Sequence, residues 1–175
     1  MSQVAISGNA SGTGTLTIAA PNTNSNYTLT LPTNTGTVAL TSNIPTAPVF
    51  GRVVRTSGSV STTSTSLVDL TGASITLTTG AFPVHISFAG SWYNDTDNQA
   101  LYINVDIDGA LELGTNGIIE NDTFNYEANA SFSIDSAVLT AASHTFKIKW
   151  RVSAGTGVIL GSSTNAYNFS VHEIK

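Results

Sequence analysis

Apolar and polar residues alternate with a period of two over most of this chain. Val84, Ile86, Phe88 and Trp92 fall on one side of a run whose other side is His85, Ser87, Ala89, Ser91 and Tyr93. Leu101, Ile103, Val105 and Ile107 alternate with Tyr102, Asn104, Asp106 and Asp108, and Phe146, Ile148, Trp150 and Val152 with Lys147, Lys149 and Arg151. Phe132 and Ile134 oppose Ser131, Ser133 and Asp135. Successive side chains of a strand point to opposite faces, so each run predicts a strand with one buried face. Shorter candidates lie at residues 53–56, 67–70, 74–78, 158–160 and 167–174. Asp108-Gly109 is the pair favoured in a two-residue hairpin turn, here leading into residues 110–113. About eight to ten strands with no helical period predict an antiparallel sandwich or jelly roll. Its core should contain Ile86, Phe88, Trp92, Ile103, Val105, Ile107, Phe132, Phe146, Ile148 and Trp150. One position breaks the pattern: Glu173 shares a strand face with Val171, which predicts a bulge, a frayed end or a subunit interface.

The first 44 residues repeat the alternation on a smaller scale. Leu16 and Ile18 alternate with threonines, as do Tyr27, Leu29 and Leu31, and Val38 and Leu40 follow the same rule. Turn residues at 21–26 and 32–36 separate the three runs. Three short strands with one apolar face each cannot bury those faces alone, and copies of the same chain are the simplest partners. Residues 45–48, with Pro45 and Pro48, read as a stiff linker, because proline fixes its own backbone and biases the preceding residue to extended geometry. The expected organisation is a β-rich arm at 1–44, a linker at 45–48 and a head at 49–175.

Charge sharpens this division. Only 10% of the 175 residues are charged, against about 25% in ordinary domains. No Asp, Glu, Lys or Arg occurs before Arg52. An uncharged segment free in water favours aggregation, so the arm is expected to rest on other protein. Residues 95–135 hold acids and no base, while Lys147, Lys149 and Arg151 cluster. A net charge of −5 and six Lys and Arg exclude a typical nucleic-acid binder, which needs cations for phosphate. No apolar run approaches the roughly 20 residues of a membrane-spanning helix. Residues 1–10 lack the basic and apolar regions of a secretory signal. The absence of cysteine removes disulfides, thiolate metal sites and a Cys nucleophile.

Candidate chemistry is sparse. No metalloprotease, P-loop or nucleophile-elbow pattern occurs. The Gly-x-Gly triplets at 12–14 and 155–157 precede no helix start and read as turns. His85 lies on a polar strand face, His144 in a turn and His172 near the terminus, so each has a structural reading beside a catalytic one. The oxygen-rich run at 94–98 makes Asp95 and Asp97 a candidate calcium site, against a plain solvated turn, since it lacks the spacing of a calcium loop. Asp106 and Asp108 share a strand face, but turn formation accounts for Asp108, and no cleft for a glycosidase pair is legible. Tyr93, Tyr102 and Tyr126 fall on polar faces or loops, where an amphipathic ring suits a glycan or a protein partner. No cofactor is expected.

Two stretches resemble a known class. Residues 14–21, Gly-Thr-Leu-Thr-Ile-Ala-Ala-Pro, continue through Asn-Tyr-Thr-Leu-Thr-Leu-Pro at 26–32 to Thr-Gly-Thr-Val at 35–38. This resembles a segment common in fibres and spikes of tailed bacteriophages. Ala-Ser-His-Thr-Phe-Lys-Ile-Lys-Trp-Arg-Val at 142–152, with Asn-Phe-Ser-Val-His-Glu-Ile at 168–174, is similar to the last strands of jelly-roll heads on such proteins. Those heads are broadly similar to trimeric tumour-necrosis-factor and complement-type (C1q-like) heads. The resemblance implies a homotrimer on the outer surface of a phage virion, with the arm on the particle and the head facing out. Leu16, Ile18, Tyr27, Leu29, Leu31, Val38 and Leu40 would then be the particle or trimer contacts. The short chain favours a capsid cement or head-decoration spike bound to the major capsid protein. A short tail fibre recognising a host glycan is the alternative, and a depolymerase ranks below both. No nucleic acid or membrane partner is expected.

Overall fold

A computed structural model describes residues 11–13, 24–26, 46–121 and 126–175. The chain divides into two compact units, residues 1–44 and 45–175. The strand candidates at Leu16–Ile18, Tyr27–Leu31 and Val38–Leu40 lie outside the described residues.

Every helix or strand among the described residues of the second unit is a strand, and every pairing is antiparallel. In chain order they are β1 (Phe50–Arg55), β2 (Val60–Thr62), β3 (Val68–Thr78), β4 (Val84–Asn94), β5 (Ala100–Ile107), β6 (Ala110–Leu111), β7 (Ile118–Asn121), β8 (Ala128–Asp135), β9 (Ser143–Val152), β10 (Gly157–Ile159) and β11 (Tyr167–Glu173). The first sheet is built on the long β4. On one side β4 pairs with β11 and then with β10, which carry β1 and β2 outward; on the other side it pairs with β8. The second sheet runs β3-β9-β5, with β6 and β7 both on the far side of β5. From β3 to β4, β5, β8, β9 and β11 the chain changes sheet at each step, which is the order of a jelly roll.

The alternating apolar residues close between the sheets. All ten expected core residues are buried, and Trp92 and Trp150 are the largest fully buried side chains. Tyr167, Phe169 and Val171 of β11 join them. The Asp108-Gly109 turn has positive φ at both residues, 52° and 95°, as a type I′ hairpin requires.

Four expectations need correction. The separate candidates at 67–70 and 74–78 are one strand, β3, whose register shifts between Asp69 and Ser74. This bulge carries the extra residues that period-two counting took for a gap. The short strands β2 and β7 had no signal long enough to read. Asn104 and Asp106 are buried, although their parity is that of the outer face. The loop after β6 covers Asn104, whose amide donates to the Gly114 carbonyl at 2.6 Å and whose oxygen accepts from Leu113 N–H at 3.1 Å, while Asp106 is held by the β5–β6 turn, accepting from Gly109 N–H. Finally, β11 is regular through Glu173, which pairs with Val84 without a bulge or frayed end.

Replacing Trp150 by Ala removes a side chain that is only 1% exposed and is expected to cost about 3–5 kcal/mol. Equilibrium denaturation of the variant checks this; a loss below about 1 kcal/mol would place the ring outside the core.

Candidate functional site

The polar groups of the head collect in three places. The first is the end where residues 46–49 meet the C-terminal end of β11. Glu173 has inward parity on β11 and its side chain is fully buried. Its carboxylate accepts from Gly80 N–H at 2.5 Å and Val49 N–H at 3.4 Å and pairs with the Lys175 ammonium at 3.0 Å. Burial pushes the Glu173 pKa up, but Lys175 and the two backbone N–H groups outweigh it and hold the carboxyl below its ordinary range. Lys175 also donates to the carbonyls of Thr46 and Ala47 and to the Thr46 hydroxyl. The acid that broke the strand pattern thus fastens residues 46–49 to the head. It is neither an irregularity nor, within the described residues, an exposed contact.

His144 has the same kind of position. It is the second residue of β9, not part of a preceding turn, and it is buried with inward parity. Its Nδ1 meets the Asp108 carboxylate at 2.6 Å and its Nε2 lies 3.0 Å from the Thr140 carbonyl. The Asp108 carboxylate also accepts from Thr145 N–H at 2.7 Å. That bond, then the one to His144, lowers the Asp108 pKa, while Asp108 and the Thr140 carbonyl raise that of His144. The turn aspartate therefore serves as a latch between the β5–β6 hairpin and β9. Asp106 and Asp108 do border a shallow depression of about 340 Å3 with Lys147 and Lys149. Asp108 is held by β9, and Asp106 accepts from Gly109 N–H at 2.9 Å, so both carboxylates act on their own chain.

The second place is the outer face of the β3-β9-β5 sheet. Asp69 pairs with Lys147 at 2.9 Å and with Lys149, and these two bonds, Lys149 first, lower its pKa. The Arg151 guanidinium lies over the Tyr102 ring, 3.4 Å from its centroid. The cations that cluster in sequence are thus each matched within the face.

The third place is the outer face of the β4 sheet. His85 Nδ1 lies 2.6 Å from Asp135 and its Nε2 2.9 Å from the Ser133 hydroxyl. This is the order of a Ser–His–Asp relay. It stands on an open sheet face: the Asp135 side chain is 61% exposed. A shallow depression of about 330 Å3 further along the face is lined by Ala89, Ser91, Asn129, Ser131 and Asn168, not by Ser133. Parity put Ser133 and Asp135 on one face; the partner strand that brings His85 beside them was not legible.

The remaining candidates are not brought together. Asp95 accepts from Thr156 N–H at 2.7 Å, which chiefly lowers its pKa, and Asp97 from Asn98 N–H at 2.9 Å. Their oxygens hold the turn, and among the described residues no group of three His, Asp or Glu is placed to hold a metal ion. Tyr93 is half-buried on β4, Tyr102 lies under Arg151, and Tyr126 is 74% exposed ahead of β8. The seven arm residues named as contacts lie outside the described residues.

What the fold defines is a class: an antiparallel two-sheet sandwich, all-β among the described residues of 45–175. No family model matches the chain, and no curated protein matches it in sequence. Among solved structures it is similar to the VP2 protein of infectious bursal disease virus. A mutant VP2 gives a TM-score of 0.45 at 11% identity, covering 72% of this chain and 36% of that one. The VP2 subviral particle gives 0.43 at 13% identity, over 72% and 37%. The Gx strain gives 0.42 at 12%, over 73% and 36%. The chain thus spans about a third of the length of these chains.

Two outcomes follow. Because its folded pKa lies above 6.5, the His144–Asp108 bond stabilises fully below about pH 6.5 and fades as pH rises through the folded value. The melting temperature is expected to fall as pH rises above about 6.5, and His144→Gln to remove much of that fall. Glu173, with a lowered pKa, stabilises above about pH 4.5 and loses that contribution as pH drops through its folded value. Glu173→Gln is expected to speed proteolytic cutting at residues 46–49 several-fold at neutral pH, read by mass spectrometry of the fragments. An unchanged rate would mean that Glu173 does not hold the linker.

Proposed function

We propose that this chain is a non-enzymatic structural protein of a tailed-phage virion: a homotrimeric capsid cement or decoration spike. Its N-terminal arm binds the particle, through the major capsid protein, and its head faces outward. One observation carries the reading: residues 1–51 hold no charge, yet alternate apolar and hydroxyl residues as one-faced strands do. A segment of this kind is stable only when covered, by copies of itself and by the surface it decorates. The resemblance of residues 14–38 and 142–174 to phage fibre and spike segments supports the same assignment. So does the chemistry of the head, whose acids, bases and histidines are largely engaged with one another or with the backbone. Burial of the arm's Leu, Ile and Val side chains would supply the anchoring, at about 25 cal/mol per Å2.

A second reading, a short tail fibre that binds a host glycan, is favoured by one feature. The Tyr126 ring is 74% exposed beside Glu127, a pairing of ring and carboxylate suited to a sugar.

Deleting residues 1–44 is expected to leave a folded head that no longer joins particles of the phage encoding it. Mass spectrometry of purified virions reads the occupancy. Normal occupancy of the truncated protein would place the anchor in the head and overturn the reading. Loss of binding to tail-less capsids with retention on isolated tails would favour the fibre.

A further inference from the structure

The two outer faces of the sandwich differ in a way that their shared fold does not require. On the β3-β9-β5 face, Asp69, Lys147, Lys149, Arg151 and Tyr102 form matched pairs, which suits a face in contact with water. The β4 sheet shows the opposite. Its register lays out three straight rows across β1, β11, β4 and β8. The first is Phe50, His172, His85 and Asp135; the second Arg52, Ser170, Ser87 and Ser133; the third Val54, Asn168, Ala89 and Ser131. The middle of this face is Ser, Ala and Asn beside the His172–His85 pair of the first row, with no Lys, Arg, Asp or Glu. Its only cation of fixed charge, Arg52, stands on the β1 margin and its only carboxylate, Asp135, on the β8 margin.

The margins are complementary in shape as well as charge. On β1, Arg52 is flanked by two exposed apolar side chains, Phe50 at 62% and Val54 at 42%. Toward β8 the small residues leave the shallow depression floored by Ala89 and walled by Ser91, Asn129 and Ser131. One chain offers knobs at one edge and a hollow near the other. Three inter-strand spacings separate β1 from β8, about 14 Å, so Arg52 and Asp135 cannot reach each other within one head. Each can meet its counterpart only on another copy. A head-to-tail contact of this kind is heterologous and closes into a ring when the rotation permits.

The β8 edge fits the same partner. β3 is guarded by its bulge and by Asp69, a device that discourages strand addition. Among the described residues β8 pairs only with β4; it runs eight residues without a register shift and contains neither Pro nor Lys. An unguarded edge is a hazard in a free monomer but not under a neighbouring subunit.

We propose that the outer face of the β4 sheet is the contact between heads of neighbouring copies of this chain. The β1 margin of one copy (Phe50, Arg52, Val54) seats on the β4–β8 margin of the next, with Arg52 against Asp135. The closure of three copies rests on the trimer proposed above; the choice of face and the pairing of its margins come from the head alone. His85, which holds Asp135, and Asn168, which accepts from Arg52 Nε at 2.6 Å, orient the two charges.

The chain has no cysteine of its own, which makes the test direct. The full-length double variant Arg52→Cys/Asp135→Cys is treated with a bismaleimide too short to join the two cysteines of one chain. Both side chains are exposed, and circular dichroism checks that the fold is kept. Covalent trimers on a denaturing gel are expected, with far less product from either single variant. Sedimentation of the unmodified protein is measured in parallel. A trimer in solution without cross-links would overturn this contact and leave the trimer standing. A ladder ending at the dimer would overturn the head-to-tail closure. A monomer in solution would overturn both.

Discussion

The cost of taking charge out of water organises this molecule. Ions are few, and the head spends most of them on local fastening. Asp69 holds Lys147 and Lys149, Asp108 holds His144, and Glu173 holds Lys175 and the backbone of residues 49 and 80. Two of these anions act where a buried polar group would otherwise be costly, at the end of the sandwich that receives the linker. What remains is a β4-sheet face whose fixed charges, Arg52 and Asp135, stand only at its margins, and a stretch of 51 residues without charge at 1–51. Both can be covered by protein at little desolvation cost, which a charged surface would not permit.

The two-sheet core supplies the platform for that arrangement. Trp92 and Trp150 enter from opposite sheets, and the phenylalanines of β4, β8, β9 and β11 fill the space around them. Close packing fixes the register of β4 against β11 and β8, because a one-residue slip would send every apolar side chain to the wrong face. The same register that buries Phe88, Phe132 and Phe169 lines up Ser87, Ser133 and Ser170 outside. The outer face is therefore as strictly ordered as the core, and its neutral rows are a consequence of inner packing joined to a choice of small outer residues.

Period-two alternation made the long strands legible, and with them the all-β class and the ten core positions. It worked where one face is buried and the other wet. It failed where a loop or a turn intervened. Asn104 kept outward parity but is covered by the loop after β6, a tertiary event with no local signature, and Asp106 is buried where it holds the β5–β6 turn. The bulge in β3 hid one strand as two. Glu173 was visible as an anomaly, but its partners, Val49 and Gly80, lie 124 and 93 residues away. The Ser133–His85–Asp135 trio and the rows of the β4 face depend on which strands become neighbours, and alternation within a strand carries no information about that. The turn at 94–98 was legible as a turn; its carboxylates are used by N–H groups near at hand and across the 154–156 turn.

The proposed self-association of this chain runs through surfaces that carry few charges. Sedimentation equilibrium of the full-length protein at low and at high salt tests it most directly. The expected mass at low salt is three times the 18.1 kDa of the chain, and high salt is expected to weaken the association only modestly, because Arg52–Asp135 is the one ion pair placed in the contact. A single-chain mass at both salt concentrations, at micromolar protein, would contradict it.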